Sequence, residues 1–111
     1  MSQFALKLYG WVVLASILVV TTWASLEKGI TFGIEYVLAE RWGIATLFDT
    51  YFGFLFFWLW VCYKQSSWVA RSAWFIAIML FGNIAMAIYF LIQLYKVPKN
   101  QWSIEKLLLK N

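Results

Sequence analysis

The sequence predicts an all-α integral membrane protein, with three transmembrane helices in an antiparallel bundle and residues 1–111 forming a single membrane domain. Three observations carry this reading. Hydrophobic residues make up 64% of the chain and charged residues only 13%, too few to cover a soluble fold of this size. Three long apolar runs follow one another: Leu8 to Leu26, Trp42 to Tyr63 and Ser72 to Tyr95. Trp and Tyr residues collect at the edges of these runs, where amphipathic rings settle at the headgroup level.

A helix rises about 1.5 Å per residue, so ~20 residues cross a hydrocarbon core of ~30 Å. Each run is long enough. Lipid offers no hydrogen bonds to the backbone, which makes the runs helical despite their Val, Phe and Trp content. The predicted helices lie near 6–26, 43–65 and 71–96. The first run is longer than a signal-peptide core, and it reads as an uncleaved helix. Residues 27–41 read as an interfacial loop. Within it Ile30, Ile34, Val37 and Leu38 share one face, which suggests a short surface helix, although Gly29 and Gly33 oppose one. Lys64 to Arg71 reads as a tight helix–helix turn. Pro98 stops the third helix, and the tail 97–111, with Trp102 and Leu107 to Leu109, is expected on the membrane surface.

Three spans place the N-terminus and the Lys64–Arg71 turn on one side and the C-terminal tail on the other. Trp11, Trp68 and Trp74 then mark one face, and Trp23, Trp42, Tyr95 and Trp102 the opposite one. The basic residues leave the orientation divided. The raw count places the tail in the cytoplasm, whereas the short, acid-free second turn and the first-helix bias favour the reverse.

Composition excludes several functions. The nine Lys and Arg are scattered at the edges of apolar runs and form no patch, so nucleic acid is not an expected partner. The chain has no histidine, which removes His-ligated haem or pigment, His-based metal sites and a His general base. Cys62 is the only cysteine and reads as a small buried hydrophobe. There is no phosphate loop, nucleophile elbow, metal-ligand cluster or second intramembrane acid. No catalytic residue, metal or cofactor is expected, and the chain is not read as an enzyme.

Asp49 is the strongest candidate for a binding role. It is the only acid inside a run, and exposing its ionised form to lipid costs roughly 3 kcal/mol or more. Asp49, Gly53, Phe56, Trp60 and Tyr63 fall along one helical stripe. Gly82, Met86, Tyr89 and Gln93 form another, with Asn83 on its shoulder. The short turn makes the second and third helices antiparallel, so Gly53 meets Gly82, and Asp49 lies at the depth of Met86, less than a turn from Asn83 and Tyr89, either of which could donate to it. Thr22 on the first helix could reach the same layer. Capping of a helix starting at Thr50 is the competing reading of Asp49.

The segments FDTYFGFLFFWLWVCYKQ and LFGNIAMAIYFLIQLYK carry Phe48-Asp49, Gly53, Trp58 or Trp60, Gly82-Asn83 and Tyr89. Over residues 46–96 the chain resembles small bacterial multi-helix membrane proteins grouped as a domain of unknown function. The resemblance implies a compact helical membrane protein, in a bacterial inner membrane, and no reaction. Three helices leave large apolar side chains without neighbours. The leading expectation is therefore an accessory subunit of a larger membrane complex, in a photosynthetic or respiratory setting, with lipids and other membrane subunits as partners. The alternative is a small oligomeric transporter or a lipid- or quinone-binding protein that uses Asp49.

Overall fold

The computed structural model describes residues 2–110, and among these it is all-α. Helix α1 spans Gln3–Glu27, α2 Ile30–Leu38, α3 Arg41–Lys64, α4 Trp68–Phe81 and α5 Asn83–Lys96; a 3-10 turn, Lys99–Gln101, precedes α6, Ile104–Leu108. Helices α1 and α3 are each long and apolar enough to cross a membrane.

The third apolar run is not one helix. It breaks at Gly82, whose φ of 55° and ψ of −123° lie outside the helical region and are open only to a residue without a Cβ. A Cβ there would also lie 2.8 Å from the Phe54 ring. The break leaves two helices of 14 residues, each about 21 Å long and too short to span.

The contacts show that these helices fold back on each other. On one arm α4 runs antiparallel to α3: the Trp58 indole donates to the Arg71 carbonyl (2.9 Å), and the Tyr51 hydroxyl to that of Met79 (3.1 Å). On the other arm α5 returns toward the α3–α4 turn, so that the Tyr89 ring meets Trp74 (4.8 Å between centroids) and its hydroxyl accepts from Gln65 Nε2 (2.9 Å). The pair forms a helical hairpin with its tip at Gly82, set against the middle of α3.

Helix α1 packs antiparallel along α5. Gly10 lets the helices close in, because a Cβ there would lie 2.7 Å from Leu91 Cδ2. Gln3 is buried and donates to the carbonyls of Leu94 (3.0 Å) and Val97 (2.8 Å) at the α5 end, where Leu94 also accepts the cap amide of Val97 (3.3 Å). Trp11 Nε1 donates to the Tyr95 hydroxyl (3.1 Å). The start of α1 and the end of α5 therefore share one end of the molecule with the α3–α4 turn. Tyr95 and Trp102 belong with Trp11, Trp68 and Trp74, and not with Trp23 and Trp42 as a straight third helix requires.

The tail docks on the protein: Lys64 Nζ donates to the Leu107 (2.7 Å) and Leu109 (3.0 Å) carbonyls, and Trp60 Nε1 to that of Leu108 (3.0 Å). Leu107 is buried with Leu91 and Leu94. The connection 27–41 does form the short helix α2, with Gly29 as its N-cap outside the helical turns and Gly33 inside.

This arrangement separates charge. The end holding the α1 start, the α3–α4 turn and the tail carries Lys7, Lys64, Arg71, Lys96, Lys99, Lys106 and Lys110, with Glu105 the only acid. The remaining part carries Lys28 and Arg41 with Glu27, Glu35, Glu40 and Asp49.

Candidate functional site

The best-packed region surrounds Tyr89, which is 1% exposed. Its ring makes edge-to-face contacts with Trp74, Trp60 (5.5 Å) and Phe57 (6.0 Å). Such pairs contribute about 0.5–1.5 kcal/mol each beyond area burial. Gln65, which bonds the Tyr89 hydroxyl, is held in turn: Arg71 Nε donates to the carbonyls of Cys62 and Gln65 (both 3.0 Å), covering the open C-terminal end of α3. Tyr89 is thus enclosed by protein, and its geometry is that of a packing centre. The sequence reading missed Gln65 and Arg71. The KQSSWVAR turn held the signal, since an Arg beside a helix C-terminus reaches free carbonyls.

Asn83 is the first residue of α5 and sits at the hairpin tip. It lines a cleft of about 210 Å³ with Tyr9, Gly10, Phe57, Met86 and Phe90 between α1, α3 and α5. The first amides of any helix lack intrahelical partners, so the tip presents N–H groups as well as the Asn83 amide. Leu80 and Phe81 beside it are 71% and 60% exposed.

Asp49 does not join this region. It is exposed on α3 and makes no hydrogen bond or ion pair among the described residues. A capping role is also absent, because α3 starts at Arg41, eight residues earlier. The predicted stripe faces outward at Asp49, Gly53 and Phe56, where Phe56 is 76% exposed and a Cβ on Gly53 would meet nothing within 4 Å; only Trp60 of that stripe turns to the Tyr89 core. The inward stripe is Tyr51, Phe54, Trp58 and Val61. The depth match between α3 and Gly82 holds, but Phe54 takes the place assigned to Gly53, about 100° around the helix. Glycines need not face each other when a ring can lie over one of them. Thr22 is likewise exposed on α1, whose inward positions are Gln3, Gly10, Leu14 and Ile17. Asp49, Asn83 and Tyr89 therefore occupy three environments: an outer face, the hairpin tip and the aromatic core.

Gln93 lies deeper on α5, 3% exposed, with Nε2 lacking a hydrogen-bond partner among the described residues. Cys62 is half-buried. Among the described residues no group of His, Cys, Asp and Glu could hold a metal ion.

Comparison with known proteins gives one match. A family model described as a protein of unknown function (DUF1475) covers residues 4–111, including α1, α2 and the tail as well as residues 46–96. No curated protein and no solved structure matches the chain.

Proposed function

We propose that this chain, which belongs to the DUF1475 family, is a small integral membrane subunit that completes a larger membrane assembly and has no reaction of its own. Helices α1 and α3 span the bilayer, and the α4–α5 hairpin enters from one face and returns to it. The basic end lies in the cytoplasm, since basic residues near span ends concentrate there. With the tail on the same side as the α1 start, the raw count and the first-helix bias agree. A bacterial inner membrane is the setting this topology suits.

The observation that carries the reading is Asp49. It lies about 5 Å along the axis from the midpoint of α3, unpaired and exposed on an apolar surface. A carboxylate at that depth needs a donor, and the described residues supply none. The hairpin tip adds support, because irregular backbone at membrane depth is tolerated only where protein or a water-filled cavity covers it. Only 6% of the most apolar stretch of either spanning helix is buried within the chain. A neighbouring subunit with a hydrogen-bond donor at mid-depth satisfies all three. With no histidine, the chain would scaffold a photosynthetic or respiratory assembly without ligating its pigments through imidazole.

The transporter or quinone-site reading has less support. Its candidate residues, Asp49, Asn83 and Tyr89, do not converge on one site, and Asp49 lines neither the cleft at Asn83 nor the apolar groove of Phe52, Leu55, Phe56, Trp58 and Leu59. The test is purification in mild detergent followed by native mass spectrometry. The wild type should retain one or more partner subunits. Asp49→Asn should retain them through its amide, whereas Asp49→Leu should lose them about tenfold, the ratio for a hydrogen bond worth ~1.4 kcal/mol. A stable monomer carrying only lipid, with the Asp49→Leu variant behaving identically, would overturn the proposal.

A further inference from the structure

At the basic end, the chain leaving α5 turns through Pro98 and the 3-10 segment before α6. The fold of this segment leaves a cavity of about 290 Å³ lined by Lys96, Val97, Pro98, Gln101 and Lys106. Among the described residues two ammonium groups border it and no carboxylate does. Lys106 Nζ has one long hydrogen bond, 3.4 Å to Gln101 Oε1, and Lys96 Nζ has no hydrogen bond or ion pair among the described residues. An ammonium carries three donors, so most of this capacity is unused. Lys64 behaves differently, with its ammonium bonded to two carbonyls of the tail. Lys96 is near enough to Lys64 for their charges to oppose each other, so the site holds excess positive charge. The neighbouring Leu108 and Leu109 are 48% and 53% exposed, as acyl-chain contacts would require.

We propose that the cavity between Lys96 and Lys106 binds the phosphate of an anionic phospholipid headgroup, with Gln101 as a further donor. This rests on the membrane reading above, which sets the cavity at headgroup level. A zwitterionic lipid brings a cation as well as a phosphate, and among the described residues the cavity walls offer no acid to receive it. Basic residues at a membrane surface favour anionic lipid by about fivefold each. With two lysines the site should therefore prefer phosphatidylglycerol to phosphatidylcholine by about 25-fold.

The experiment uses the full chain in mild detergent. Retained lipid is counted by native mass spectrometry during titration with phosphatidylglycerol, phosphatidylcholine or inorganic phosphate. The wild type should hold one phosphatidylglycerol molecule with the stated preference, and Lys96→Gln with Lys106→Gln should abolish it. Lys96→Arg with Lys106→Arg should keep it, as should Lys28→Gln at the opposite end. Circular dichroism verifies that each variant is folded; should the double glutamine variant not fold, the two single variants are each expected to lose about fivefold. Equal retention of both lipids, or a preference unchanged by the glutamines, overturns the proposal. Displacement of the lipid by submillimolar inorganic phosphate overturns it in favour of a free-phosphate site. Reconstitution into phosphatidylcholine vesicles separates the two levels of the argument. A chain washed off by alkaline carbonate refutes the membrane reading itself, whereas an integrated chain without lipid preference refutes only the headgroup site.

Discussion

Gly82 and Gly53 have opposite roles, although both sit in apolar runs. Gly82→Ala places a Cβ on a backbone with φ of 55° and against the Phe54 ring. The expected loss is about 2–4 kcal/mol, from backbone strain and the displaced ring. Gly53→Ala meets open space on an exposed helix face and should change stability by less than about 1 kcal/mol, in the favourable direction. Unfolding in mixed micelles with increasing SDS measures both; equal effects would show that the break does not depend on Gly82. Tyr89→Phe keeps the aromatic contacts and removes only the bond from Gln65, so about 1 kcal/mol should be lost in the same titration. A loss near zero would mean that water or another group takes over the amide. At this scale the sequence is informative about which residues matter and less so about how. Gly82, Asn83 and Tyr89 stand out by type and position. What type does not encode is the sign of φ at Gly82, and that sign separates Tyr89 from Asp49.

Hydropathy responds to composition within a window and is blind to a single dihedral angle. It locates α1 and α3 to within a few residues and finds the connection that holds α2. The run from Ser72 to Tyr95 has the same length and apolarity as a span, so a straight helix is the expected reading. There is no proline inside it to mark the break. The error then spreads through the antiparallel register. A straight helix carries Tyr89 away from the α3–α4 turn, whereas the hairpin returns it to Gln65. The same return explains why Gln3, at the start of α1, finds the carbonyls of Leu94 and Val97. The tail reads as a surface segment because its Leu and Lys residues alternate with no fixed partner. Its docking depends on Lys64 and Trp60 donating to its backbone, an interaction that leaves no pattern in the tail itself.

For the whole molecule, the hairpin determines which charges share a side. A third span would move Lys96, Lys99, Lys106 and Lys110 to the end holding Lys28 and Arg41, dividing the basic residues between the two faces. The hairpin gathers seven of the nine at one end, and most of the acids lie away from it. Under the proposed membrane reading, this division would put the headgroup cavity at the cytoplasmic surface and Asp49 and the hairpin tip at mid-depth, beside a neighbouring subunit. The most direct test of this account is the side on which the tail lies. In a Cys62→Ser background, single cysteines at Ser2, Ser66, Lys99 and Lys28 can be labelled in intact cells with a membrane-impermeant maleimide, before and after permeabilisation. The hairpin predicts that the first three become reactive only after permeabilisation, whereas the Lys28→Cys variant labels from outside. Labelling of the Lys99→Cys variant from the same side as Lys28→Cys, with Ser2→Cys and Ser66→Cys on the other, would contradict it and restore a continuous third span.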